Sequence, residues 1–90
     1  MAKIEFDPKK NAINLAKHGI SLARAGELVI FFANFDRRVD YGEERVLAYG
    51  YLDKRAYCLC YVERSGVKRA ISLRRAHEKE LKRYVKDRQN

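Results

Sequence analysis

The groups in this 90-residue chain able to move protons or hold anions are two histidines, six tyrosines and twenty Lys/Arg side chains. The cations are unevenly placed. Residues 64–90 carry ten Lys/Arg against three Asp/Glu, whereas residues 1–63 carry ten against nine, so nearly all of the net charge of +8 resides in the final 27 residues. Such a field attracts polyanions and speeds their encounter. Nucleic acid is the first candidate partner and an acidic protein the second; a membrane surface is disfavoured because the segment has no broad apolar face to insert. For RNA, these side chains would also suffice for cleavage. The substrate carries its own nucleophile, the ribose 2′-hydroxyl, which needs a base to take its proton. A cation must hold the charge growing on the phosphate, and the departing 5′-oxygen must be neutralised. The planar fork of arginine suits phosphate, while histidine, tyrosine, lysine or a carboxylate suits proton transfer. A non-catalytic nucleic-acid-binding module would carry the same groups and stands as the alternative.

Other chemistries find no support. There is no P-loop, dinucleotide fingerprint or zinc-ligand spacing, and neither metal nor cofactor is expected. Cys58 and Cys60, at i and i+2, read as buried small hydrophobes in a reducing compartment. The longest apolar run, Leu28–Ala33, is too short to span a bilayer, and the N-terminus lacks the hydrophobic core of a secretory signal. A cytoplasmic location is therefore expected. At 47% hydrophobic and 36% charged residues, the composition is that of a folded chain, and its length predicts one domain spanning residues 1–90.

The elements that must position these groups follow from local signals. Ile4–Phe6 reads as a short strand. Asp7-Pro8 opens a helix as N-cap and N1, and Gly19 closes it; Ile13, Leu15 and Ala16 are its expected apolar stripe. Ser21 is read as the cap of a second helix, because Leu22, Ala25, Leu28, Val29 and Phe32 recur at helical spacing. Asn34–Arg45 reads as a charged loop with an irregular edge strand. Val46–Leu52, Ala56–Val62 and Val67–Leu73 follow as strands of a meander, turned at Asp53-Lys54 and Ser65-Gly66. Ala56–Val62 is apolar on both faces and belongs mid-sheet. In a last helix over about Arg75–Arg88, Arg75, Lys79, Lys82, Arg83 and Lys86 share a sector about 100° wide, a candidate RNA-binding stripe. His77, Leu81, Tyr84 and Val85 lie opposite. The expected fold is an α+β domain of order β-α-α-β-β-β-α, with helices packed on a mainly antiparallel sheet.

Three blocks of the chain resemble the BrnT family of toxins. The first is Asp7-Pro8-Lys9-Lys10-Asn11 leading to Asn14, Lys17, His18 and Gly19. The second is Tyr41-Gly42-Glu43-Glu44-Arg45 with the apolar strand ending at Gly50. The third is Ile71-Ser72-Leu73-Arg74-Arg75-Ala76 with Glu80 and Tyr84. Leu22, Leu73 and His77 depart from the usual pattern, the last standing where Ser or Thr would cap the final helix. The resemblance implies a RelE-like fold and a cofactor-independent, metal-independent endoribonuclease that halts translation, with mRNA the expected substrate. It also implies neutralisation by a BrnA-like ribbon-helix-helix antitoxin, in a complex of two toxins and two antitoxins. Carried onto this sequence, the catalytic candidates are Arg64 and Arg74, expected to flank one sheet edge and grip the scissile phosphate. Tyr84 joins them for proton transfer or base stacking, and Lys17 and His18 for acid–base or phosphate work. Lys10 is a supporting RNA contact, and Asn14 supports the same helix end. Glu80 is expected to reach back and cap the last helix.

Overall fold

A computed structural model describes residues 4–36 and 44–88, with side chains as far as Arg83. In chain order the elements are β1 (Ile4–Phe6), α1 (Pro8–His18), a 3₁₀ segment (Leu22–Glu27), β2 (Val29–Asp36), β3 (Arg45–Leu52), β4 (Arg55–Arg64), β5 (Val67–Arg75) and α2 (Glu78–Arg88). The five strands form one sheet of order β1-β5-β4-β3-β2; β1 runs parallel to β5 and every other pair is antiparallel. The α+β class expected from the sequence is the one found.

Local chemistry accounts for the frame. The Asp7 carboxylate accepts the Lys9 N–H at 2.9 Å, and Gly19, at φ 72°, donates its N–H to Leu15. Asp53-Lys54 and Ser65-Gly66 all have positive φ, the left-handed pair whose twist matches that of the strands they join. β4, with apolar residues on both faces, is the middle strand. On one side Leu59 packs with Ala48, Leu73 and the 3₁₀ residues Leu22 and Ala25. On the other, Ala56 and Cys58 pack with Tyr49, Ala76 and Leu81 of α2. Both cysteines are buried and remain thiols. Among the described residues no helix is long and apolar enough to cross a membrane.

Four expectations about elements need correction. The second helix is only a 3₁₀ turn; from Val29 the chain is the edge strand β2, where β-branched and aromatic residues prevail over the helical spacing. The stripe assigned to α1 is also wrong, since Ile13 and Leu15 are 63% and 51% exposed while Asn14 is buried. Finally, Arg75 lies in β5 rather than in the last helix. Its guanidinium sits over the Tyr57 ring, on the sheet face away from α2, so it leaves the helical stripe. His77 is exposed ahead of α2, its carbonyl accepting the Leu81 N–H, and is not part of the docking face. Tyr41, Gly42 and Glu43 of the second sequence block lie outside the described residues.

Candidate nucleic-acid interface

The site is built on the outer edge of β5, where one neighbour ends before the next begins. β1 pairs only with Lys68, Arg69 and Ala70. Three residues further, Asn14 of α1 takes over. Its Nδ2 donates to the Leu73 carbonyl at 2.9 Å, and its Oδ1 accepts the Leu73 N–H at 3.0 Å. One carboxamide thus stands in for the backbone of a missing strand. The same Nδ2 donates to Ile20 at 2.9 Å, fixing the chain just past the helix. Asn11 holds the next segment, its Oδ1 accepting from Ser21 Oγ at 3.0 Å and from the Leu22 N–H at 2.7 Å.

Between these two attachments lie Ile71 and Ser72. The β4–β5 register shifts here, with Cys60 opposite Ser72 and Tyr61 opposite Ala70, so Ile71 is the extra residue of a bulge. Bulges re-aim side chains at strand edges. A notch of about 130 Å³ results, lined by Ile71 and Ser72 and, from α1, by Lys10, Asn14, Lys17 and His18. Lys17 and His18 occupy the last turn of α1, where the helix end favours positive charge. Three sequence candidates, Lys10, Lys17 and His18, are therefore brought together.

Arg74 extends this surface. It follows Ser72 by two residues, on the same face of the strand and about 7 Å along it. Arg74 stands opposite Cys58 and is half-buried. Across Cys58 from it stands the buried Tyr49, whose phenol faces Cys58 and Glu80. Burial first, and the neighbouring Cys58 and Glu80 second, push the Tyr49 phenol well above its usual range. Burial likewise raises the Cys58 thiol, partly offset by the Arg74 charge. Glu80, in the first turn of α2, is half-buried and faces Tyr49. On this same helix Lys79, Lys82 and Arg83 are exposed. Ser72 and Arg74 thus share the sheet face that α2 covers, and the notch cations of α1 stand at the edge of the same strand.

Arg64 does not join them. It is paired with Val67 at the β4–β5 turn, roughly 20 Å along β5 from Arg74 at the rise of a strand. Adjacent antiparallel strands end at opposite sides of a sheet, so the expected joint grip of Arg64 and Arg74 on one phosphate is not formed. The backbone of Tyr84 and Lys86 belongs to α2, but their side chains lie outside the described residues. Neither Ser72 nor Tyr49 was given a role from the sequence. Ser72 stands in a block singled out only for its arginines, and Tyr49 in a strand read only for its apolar character.

Among curated proteins, none matches the chain. A family profile, described as "Ribonuclease toxin, BrnT, of type II toxin-antitoxin system", matches residues 6–80.

Proposed function

Because the chain belongs to the BrnT ribonuclease toxin family of type II toxin–antitoxin systems, we propose that it cleaves RNA, without metal, by attack of a ribose 2′-hydroxyl on the adjacent phosphorus. The observation that carries this reading is the meeting of Lys10, Lys17, His18 and Ser72 in one notch, with Arg74 two residues along the strand. Histidine is the side chain best suited to trade protons near neutrality, and His18 is assigned that task at the 2′-hydroxyl or the 5′-oxygen. Lys10 and Lys17 hold the phosphate at the notch. Arg74 meets the non-bridging oxygens with two parallel donors, and charge that develops in the transition state is stabilised there. Lys79, Lys82 and Arg83 take flanking phosphates, a salt-sensitive contribution. Cleavage of mRNA in the cytoplasm would halt translation. The cognate antitoxin is proposed to be a ribbon-helix-helix protein, two copies binding two toxins.

The test is cleavage of an end-labelled RNA in excess EDTA. Products should carry 2′,3′-cyclic phosphate and 5′-hydroxyl ends, and a single 2′-deoxy substitution at the scissile ribose should abolish them. Arg74→Ala and His18→Ala should each slow cleavage about 100-fold or more, within the range of lost charge stabilisation or acid–base catalysis. Arg64→Ala should change it less than about threefold, as expected for a cation outside the reacting centre. RNA bound but left intact by the wild type would establish the binding-module alternative instead.

A further inference from the structure

We propose that the outer edge of β2 is where the antitoxin docks, by laying an acidic, extended segment along it as a sixth strand. This rests on the reading of the chain as a toxin held by a protein antitoxin. β2 ends the sheet order, so among the described residues nothing pairs with its outer side. Natural sheets guard such an edge with lysine, proline or inward-facing charge. Here residues 29–35 read Val-Ile-Phe-Phe-Ala-Asn-Phe, without a charge or a proline. Val29 is 59% exposed, Phe31 49% and Phe35 50%. Phe31, the extra residue where the β2–β3 register shifts, packs edge-on against Tyr51 and still shows half its surface. An edge of this kind gives an added strand backbone hydrogen bonds for affinity and side-chain contacts for specificity.

The charges beside the edge select the occupant. α2 packs on one face of the sheet and touches both β2 and β4, its Lys79, Lys82 and Arg83 are exposed, and the whole chain carries a net charge of +8, so a strand added to β2 joins a strongly cationic protein. A second copy of this chain would bring a second such helix, at +8 per copy, and the like charges oppose that pairing. A nucleic acid meets the cations but cannot continue a peptide ladder. An acidic polypeptide satisfies both the ladder and the charge. On the opposite face, a groove of about 510 Å³ lined by Ala33, Phe35, Val46, Tyr61 and Glu63 receives alternate side chains of the same strand.

The experiment titrates the purified cognate antitoxin into wild-type protein and into Val29→Lys/Phe31→Lys. Folding of the variant is checked by circular dichroism melting, independently of activity. Amide hydrogen exchange is then compared for free and bound wild type. The expected result is a folded variant that still cleaves RNA but binds antitoxin at least 100-fold more weakly, with new protection at residues 29–35 of the bound wild type. Equal affinity for both proteins, or no protection there, overturns the docking site and leaves the toxin reading standing. A wild type that binds no antitoxin defeats both. Self-association of the free protein that is lost in the double variant, with antitoxin affinity unchanged, would assign the edge to a second copy and overturn the proposal. If the variant does not fold, the protection pattern of the wild type decides alone.

Discussion

Asn14 makes three buried hydrogen bonds, and all of them end on backbone groups of segments remote from its own helical turn. Replacing it with alanine leaves the Leu73 N–H and C=O and the Ile20 C=O without that partner. A buried polar group stripped of its partner costs about 1–3 kcal/mol, so Asn14→Ala should lose about 3 kcal/mol in total, near the upper end for single substitutions. For a chain of this size that corresponds to a fall of roughly 15 °C in Tm, measurable by circular dichroism; a fall under about 3 °C would show that the tether contributes little. The sequence flagged Asn14 through its place before Lys17, His18 and Gly19, but not its task. A helix that buries an amide while exposing Ile13 and Leu15 reverses the usual amphipathic pattern. Its burial depends on where β1 stops pairing with β5, which no local spacing encodes. Lys10, Lys17 and His18 were legible because α1 has strong ends in Asp7, Pro8 and Gly19. Tyr49 and Ser72 were not, since each gains its meaning from a neighbour on another strand.

At the level of elements, β2 and β3 meet so closely that Gly50 has no room for a side chain. A Cβ there would collide with the Val29 carbonyl oxygen and come within 2.9 Å of Ile30 Cα. These are backbone atoms, which cannot swing aside. Gly50→Ala should therefore cost about 2–3 kcal/mol, as overpacking does, and speed amide exchange across residues 29–35 more than across β4. Unchanged melting and exchange would mean that the two strands separate without penalty. The register shift beside Phe31 is also why the sequence misled over this stretch. Leu22, Ala25 and Leu28 do face the core, and their helical spacing is real for the two turns of the 3₁₀ segment and its cap. Val29, Ile30 and Phe31 then carry the strand preference, and the spacing to Phe32 was coincidence. The meander was readable from its two turns, and those same turns ought to have separated Arg64 from Arg74. A residue at the tip of a hairpin cannot neighbour one at the open end of the same hairpin.

Across the sheet of the molecule, two tyrosines and a cysteine hold their protons more firmly folded than unfolded. Tyr49, Cys58 and Tyr61 are all shifted upward, in each case chiefly by burial. Unfolded, these groups ionise at about 10 for tyrosine and about 8.5 for cysteine. A raised folded value means that stability is fully present below those figures and lost as pH climbs toward the folded ones. Thermal melts should thus stay level from pH 7 to about 8 and decline above about 9, and Tyr49→Phe should flatten the decline. A Tm that is constant to pH 10.5 would contradict the burial of these groups. The strand order has a different consequence, one of timing. β5 is inserted between β1 and β4, yet follows both in the chain, and it supplies the only partner β1 has among the described residues. While the ribosome has delivered the chain only as far as Arg64, Asn14 keeps its Ile20 contact but lacks both of its bonds to Leu73, and neither Ser72 nor Arg74 exists. The proposed RNA site is thus completed only when β5, the last of the described strands, has emerged, and a nascent chain that stops short of it lacks that site.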